Sequence, residues 1–156
     1  IALAVKHARR DAEVTACDRS DDALAVARDN AGRLGLELRF ARSDLLAGLD
    51  PPEHGWDAIA ANLPYIPTAD IPGLQPEVRR FEPHLALDGG PDGLDLVRRL
   101  ISASPEVLAP GGRLLLEIGV DQAGPTSAAL AQRGFIDVRT RRDLGNIERV
   151  VAGTWP

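Results

Sequence analysis

The stretch Glu13-Val14-Thr15-Ala16-Cys17-Asp18-Arg19-Ser20-Asp21-Asp22 decides the fold. Residues 13–17 are short, rich in small and β-branched side chains, and stop at a carboxylate, which is the signature of a strand ending at Asp18. Ser20 then offers an N-cap oxygen with Asp21 and Asp22 in the first turn, and Leu24, Ala27, Ala31 and Leu34 recur at helical spacing until Gly35. The order is strand, acidic residue, helix.

Upstream, residues 1–10 have the character of a helix tail, with Lys6, Arg9 and Arg10 where the helix dipole favours cations. The chain opens Ile1-Ala2-Leu3-Ala4-Val5 and contains no methionine, so a fragment of a longer protein is expected. Downstream, Leu36, Leu38 and Phe40 alternate with polar neighbours and predict a strand over 36–41 that ends before Ser43-Asp44-Leu45. Asp50-Pro51-Pro52-Glu53-His54-Gly55 is turn chemistry, and residues 56–61 predict a buried strand that delivers Asn62. Between 66 and 93 the prolines 67, 72, 76, 83 and 91 with glycines 73, 89, 90 and 93 exclude any long regular element. An irregular excursion of that length is usually functional, here as a wall or lid.

A helix is expected over 94–101, with Leu94, Val97, Leu100 and Ile101 on one face, and a restart at Ser104-Pro105. Pro110-Gly111-Gly112 predicts a turn into a strand over 113–118 buried on both faces. A short helix over 125–132 and strands over 135–140 and 147–153, joined through Leu144-Gly145-Asn146, complete the chain as an antiparallel hairpin. Strands alternating with helices imply one α/β domain with an open, mostly parallel sheet. Ligands bind such sheets beyond the carboxyl ends of the strands, where Asp18, Asp44 and Asn62 are placed.

Composition narrows the function. A 44% apolar content supports a proper core, while the formal charge of -5 disfavours a surface built to neutralise nucleic acid. One cysteine, Cys17, excludes an internal disulfide and a thiolate metal cluster and fits a reducing compartment; inside its strand it is expected to be a small core residue. His7, His54 and His84 are scattered, as surface or structural histidines are, and no metal is expected. No apolar run is long enough to cross a bilayer and no signal peptide is expected, so a cytoplasmic protein without membrane contact is expected; a monomer is expected as well, though nothing in the sequence fixes the oligomeric state.

Asn62-Leu63-Pro64-Tyr65 carries the strongest chemical signal. An amide or arylamine nitrogen is a poor nucleophile because its lone pair is delocalised. A catalyst must orient it and draw charge from its N–H bonds, which the Asn62 side-chain oxygen and the Leu63 carbonyl can do while Tyr65 lies against the conjugated face. Asp18 suits a pair of ribose hydroxyls, about 20 residues beyond a Gly-rich loop that would precede Ile1. Asp44 can accept from an exocyclic amine, with Leu45 packed on the ring. Asp88-Gly89-Gly90-Pro91-Asp92-Gly93 is read as a turn, since two aspartates repel phosphate.

Together, Ala16-Cys17-Asp18-Arg19, Ser43-Asp44, Trp56-Asp57-Ala58-Ile59-Ala60-Ala61-Asn62-Leu63-Pro64-Tyr65-Ile66 and Arg80-Phe81-Glu82-Pro83 resemble the glutamine methyltransferases that modify peptide chain release factors. The resemblance continues through Pro110-Gly111-Gly112, Leu115-Leu116-Glu117 and the closing 143–150 segment. It implies a Rossmann-like class I sheet and transfer of methyl from S-adenosyl-L-methionine to the glutamine amide of a Gly-Gly-Gln loop, with release factors as protein partners. It also implies that Asp18, Asp44, Leu45 and Asn62 hold the cofactor, that Asn62, Leu63, Pro64, Tyr65 and Glu82 meet the substrate, and that Asn62 and Tyr65 are catalytic.

The family usually has proline at the position of Leu63, and Asn-Leu-Pro-Tyr is typical of relatives that dimethylate adenine. An adenine amino-group methyltransferase acting on RNA or DNA therefore stays open, as does a non-catalytic nucleotide-binding or interaction fragment. The family's first strand, Gly-rich loop and helical substrate-gripping domain have no counterpart in the sequence. That strand would lie between those ending at Cys17 and Ala61, so both are expected to expose free edges and the chain alone to be poorly active.

Overall fold

In the computed structural model, which describes residues 1–156, the segment that begins with β1 (Thr15–Asp18) runs directly into α2 (Asp21–Leu34), as its sequence requires. The Ala23 N–H donates to Ser20 Oγ at 3.2 Å, and Asp21 and Asp22 occupy the first turn. At the other end Gly35 takes a left-handed conformation (φ 60°), while the Gly35 and Leu36 N–H groups donate to the Gly32 and Ala31 carbonyls. That pairing is a Schellman cap, and the buried Leu36 side chain is its apolar partner. Capping thus consumes Leu36, so β2 (Arg39–Arg42) starts three residues later than the alternation of Leu36, Leu38 and Phe40 suggests.

Contacts divide the chain into two compact units, Ile1–Asp50 and Pro51–Pro156. In the first, α1 (Ala2–Ala8) is followed by the parallel pair β1 and β2, in register from Thr15 opposite Arg39 to Asp18 opposite Arg42. Lys6 Nζ donates to the Arg10 and Ala12 carbonyls and ties the end of α1 to the turn before β1. Leu24 and Ala31 of α2 are buried, but β1 has a ladder partner on one edge only. Thr15, Cys17 and Asp18 are consequently exposed, and Cys17 is not the core residue its strand setting suggested.

In the second unit the sheet order is β3-β4-β6-β5. β3 (Trp56–Asn62) runs parallel to β4 (Leu108–Glu117), β4 is antiparallel to β6 (Glu148–Thr154), and β6 is antiparallel to β5 (Ile136–Arg142). The expected C-terminal hairpin is β5 with β6. α4 (Asp95–Ala103) and α5 (Ala123–Arg133) supply helical apolar faces, and Val97, Leu100, Ile101, Leu114, Leu116, Ile118, Leu130 and Val151 form the centre of the core. Each such side chain is worth roughly 1.5–3 kcal/mol relative to exposure. The Leu94, Val97, Leu100 and Ile101 stripe is buried as its spacing predicts.

Three strand expectations are corrected. β3 has the free edge expected of it, pairing with β4 alone, but it is not the buried strand its apolar run predicts, since Ala58 and Ala60 are exposed. β4 is fully buried on one face only, through Leu114 and Leu116, while Leu115 and Glu117 on the other face are half-buried. Pro110-Gly111-Gly112 is not a turn ahead of the strand but a bulge inside it. The step from Trp56 to Ala58 on β3 is matched by the step from Leu108 to Arg113 on β4, and the Gly111 N–H donates to the Trp155 carbonyl at 2.8 Å.

Residues 66–93 contain only short elements, as their prolines dictate: 3₁₀ turns at Thr68–Gly73 and His84–Ala86 and the six-residue α3 (Pro76–Phe81). The two ends of the excursion are pinned together. The Ile66 N–H donates to the Leu87 carbonyl, the Gly89 N–H to the Ile66 carbonyl, and the Thr68 N–H to the Gly90 carbonyl, all within 3.1 Å. No helix of the chain is long and apolar enough to cross a membrane.

Candidate active site

The carboxyl ends of β1 and β2 hold Asp18, Ser43, Asp44 and Leu45 together. The Ser43 N–H donates to the Asp18 carbonyl at 3.0 Å, which extends the ladder by one bond, and the Ser20 N–H donates to Asp18 Oδ1 at 2.8 Å. Ser43 is 7% exposed and its hydroxyl lies 2.9 Å from the Leu45 carbonyl and 2.8 Å from the Ala47 carbonyl. No helix follows; Ser43 instead holds a tight turn in which Leu45 has φ 57°. Such a φ is costly for a branched side chain and persists because Ser43 fixes the carbonyls around it. Arg19, Arg42, Ser43, Asp44 and Ala47 line a shallow hollow of about 300 Å³ at this end. Cys17 Sγ lies 3.6 Å from the Leu45 carbonyl; although the residue is exposed at the strand edge, partial desolvation of its sulfur and then the charge of Asp18 push its thiol pKa up, which disfavours the thiolate.

Acceptor chemistry is what a nucleoside requires. Two carboxylates at the ends of adjacent parallel strands present acceptors for ribose hydroxyls and for an exocyclic amine, so the residues present fit such a group.

The second unit builds the Asn62-Leu63-Pro64-Tyr65 turn. Asn62 is the last residue of β3, opposite Glu117 of β4, and its exposed side chain makes no hydrogen bond within the chain. Leu63, Pro64 and Tyr65 are half-buried. Behind them pack three glycines. A Cβ on Gly89 would stand 2.7 Å from the Pro64 carbonyl oxygen, one on Gly93 would overlap the Tyr65 carbonyl, and one on Gly119 would lie 3.1 Å from the Tyr65 ring. The 88–93 segment expected as a turn is therefore a backbone cradle for Pro64 and Tyr65. Its aspartates are used internally. Asp88 accepts from the Thr68 hydroxyl and the Gly90 N–H, which hold its carboxyl below the usual range, and Arg98 does the same for Asp92.

Glu82 follows α3 as its C-terminal cap, is exposed, and makes no side-chain hydrogen bond, so nothing ties it to the turn. The residue that sequence reasoning missed is Gln122. It is 7% exposed; its Oε1 accepts from the Gly119 N–H at 2.8 Å, and its Nε2 donates to the Tyr65 carbonyl at 2.9 Å and the Asp92 carbonyl at 3.4 Å. It caps α5 by position without capping it by side chain, an unusual choice where Ser, Thr, Asn or Asp is preferred. That oddity was its one signal, hidden because the helix was expected to begin at 125.

Residues 1–82 match the family model described as a methyltransferase domain. The chain is 42% identical over 153 residues to a Geobacter sulfurreducens protein named release factor glutamine methyltransferase, covering 98% of this chain and 53% of that protein. It spans about half the length of the curated relatives it matches. The structure of a protein-(glutamine-N5) methyltransferase, release factor-specific, from Alicyclobacillus acidocaldarius superposes with a TM-score of 0.52 at 26% identity, covering 99% of this chain and 90% of that one. A methyltransferase from Pyrococcus furiosus superposes with a TM-score of 0.70 at 18% identity, over 98% of this chain and 67% of that one, a likeness of fold.

Proposed function

The chain belongs to the methyltransferase-domain family, and from that membership we propose that it transfers a methyl group from S-adenosyl-L-methionine to the side-chain amide nitrogen of the glutamine in the Gly-Gly-Gln loop of peptide chain release factors. The observation that carries the proposal is Asn62: an exposed, unengaged amide at the carboxyl end of β3, followed by a turn that glycines 89, 93 and 119 and Gln122 hold from behind. The named function of relatives at 41–46% identity supports the choice of a glutamine amide.

In this function Asn62 Oδ1 and the Leu63 carbonyl accept the two N–H bonds of the substrate amide. Accepting both fixes the nitrogen's orientation and draws charge away as the nitrogen becomes a nucleophile. Tyr65 supplies a flat face for the amide, and Pro64 restricts the backbone between them. Asp18 accepts from ribose hydroxyls, and Asp44 with Leu45 receives the adenine. S-adenosyl-L-methionine contributes the electrophilic methyl on its sulfonium, so the protein's work is alignment rather than strong base catalysis.

The test is incubation of the full-length protein with methyl-labelled S-adenosylmethionine and, separately, a release factor or RNA. Label on the Gly-Gly-Gln glutamine is expected. Label on RNA would establish the adenine amino-group activity that Leu63 favours, and no label on either would overturn the proposal.

A further inference from the structure

We propose that Gln122 is a positioning residue that sets the geometry of the Asn62-Leu63-Pro64-Tyr65 turn; this rests on the glutamine-methylating function proposed above. Gln122 joins three segments distant in sequence: the end of β3, the return of the 66–93 excursion at Asp92, and the link from β4 to α5 at Gly119. The orientation of its amide is unambiguous. A flipped group would turn Oε1 toward two carbonyls and Nε2 toward the Gly119 N–H, losing every bond.

The turn has few freedoms left to control. Asn62 is fixed by its ladder to Glu117, and Ile66 by bonds to Leu87 and Gly89. Between them, Pro64 has its φ locked by its ring. The Tyr65 carbonyl shares a peptide plane with the Ile66 N–H, and Gln122 Nε2 holds its oxygen at 2.9 Å while the Leu87 carbonyl holds that N–H, so the plane is clamped from both sides. A side chain with one acceptor and two donors at that reach is required, because Gly119 presents a donor while Tyr65 and Asp92 present acceptors. Losing the latch would leave the Tyr65–Ile66 peptide held through the Ile66 N–H alone, and the slack, passed back through Tyr65 and Pro64, would carry the Leu63 carbonyl off the substrate amide; displacements of about 1 Å at such sites cost roughly a hundredfold in rate.

Gln122→Met, which keeps the length and removes the amide, and Gln122→Glu test this in the full-length protein with a release factor as substrate. Gln122→Met is expected to lower kcat by roughly a hundredfold with KM for S-adenosylmethionine little changed. In Gln122→Glu the ionised carboxylate keeps the Gly119 contact but opposes the Tyr65 carbonyl. Protonation restores a donor, so its rate relative to wild type at the same pH is expected to rise as pH falls. A Gln122→Met kcat within about threefold of wild type, or a flat ratio for Gln122→Glu, would overturn the proposal. Gly119 amide hydrogen exchange gives a readout independent of turnover. If wild type transfers no methyl, the functional proposal fails, while faster Gly119 exchange in Gln122→Met still supports the latch and unchanged exchange overturns it.

Discussion

Gln122 donates its side-chain amide to the backbone carbonyl of Tyr65, a residue 57 positions earlier, at 2.9 Å. A single buried group thereby joins the turn that ends β3 to the N-terminus of α5. The glycines around the turn make that approach possible, since backbone must come within contact of backbone on its inner side.

Gly93→Ala and Gly35→Ala separate conformational strain from crowding. Both glycines have positive φ, 75° and 60°, but a Cβ at Gly35 meets nothing within 4 Å, whereas one at Gly93 would overlap the Tyr65 carbonyl and lie 2.6 Å from Gln122 Nε2. Gly35→Ala is expected to cost about 1–2 kcal/mol from the left-handed backbone alone. Gly93→Ala adds an overpacking cost of about 1–3 kcal/mol. Urea unfolding of the two variants measures the difference; equal midpoint shifts would show that the cradle yields without cost.

Asn62→Ala is expected to remove roughly 2.7–4 kcal/mol of transition-state stabilisation, by analogy with loss of one oxyanion-hole donor. Because the Asn62 side chain makes no internal hydrogen bond, the thermal midpoint should hardly move. Methylation kinetics beside a melting curve check both halves. A rate within about threefold of wild type would remove Asn62 from the chemistry.

Local physics was legible in the sequence and neighbourhood was not. Ser20 and Gly35 announce the ends of α2 because a cap is decided within a few residues, and the Leu94, Val97, Leu100 and Ile101 stripe declares its buried face by spacing alone. Asp18, Asp44 and Asn62 were placed at strand ends for the same reason. The free edges of β1 and β3 were expected from the lack of a neighbour strand between them, but the exposure of the Cys17, Ala58 and Ala60 side chains was not, because their small apolar runs read as buried strand. The Pro110-Gly111-Gly112 bulge depends on Trp155, and the role of Gln122 on a carbonyl 57 positions earlier, partners that local spacing does not reveal.

Asp143 predicts an acid-sensitive hairpin. Its Oδ1 accepts from the Ile147 N–H at 3.0 Å and the Gly145 N–H at 2.8 Å, and Arg149 Nε lies 3.3 Å from Oδ2. These bonds, the Ile147 amide first, hold its carboxyl below the usual carboxylate range. A depressed pKa contributes stability that is present above the unfolded value of about 3.9 and lost as pH falls through the lower folded value. Asp143→Asn keeps an acceptor and removes the charge. Its deficit against wild type in urea unfolding should be present at neutral pH and shrink in acid; a deficit independent of pH would assign the effect to geometry rather than ionisation.

Thr126 offers a test in the opposite direction. It is 1% exposed on α5, and its Oγ1 is buried without a hydrogen-bond partner. An unsatisfied buried hydroxyl costs about 1–3 kcal/mol, whereas an apolar group of the same shape carries no such penalty. Thr126→Val keeps the β-branched shape and leaves intact the bond that the Thr126 N–H donates to the Gln122 carbonyl at 3.1 Å. The variant should therefore be more stable by about 1 kcal/mol in urea unfolding, with Gly119 exchange unchanged. A loss of stability of that size would mean that the hydroxyl is satisfied by a buried water, whose removal would then cost what the wild-type side chain had secured.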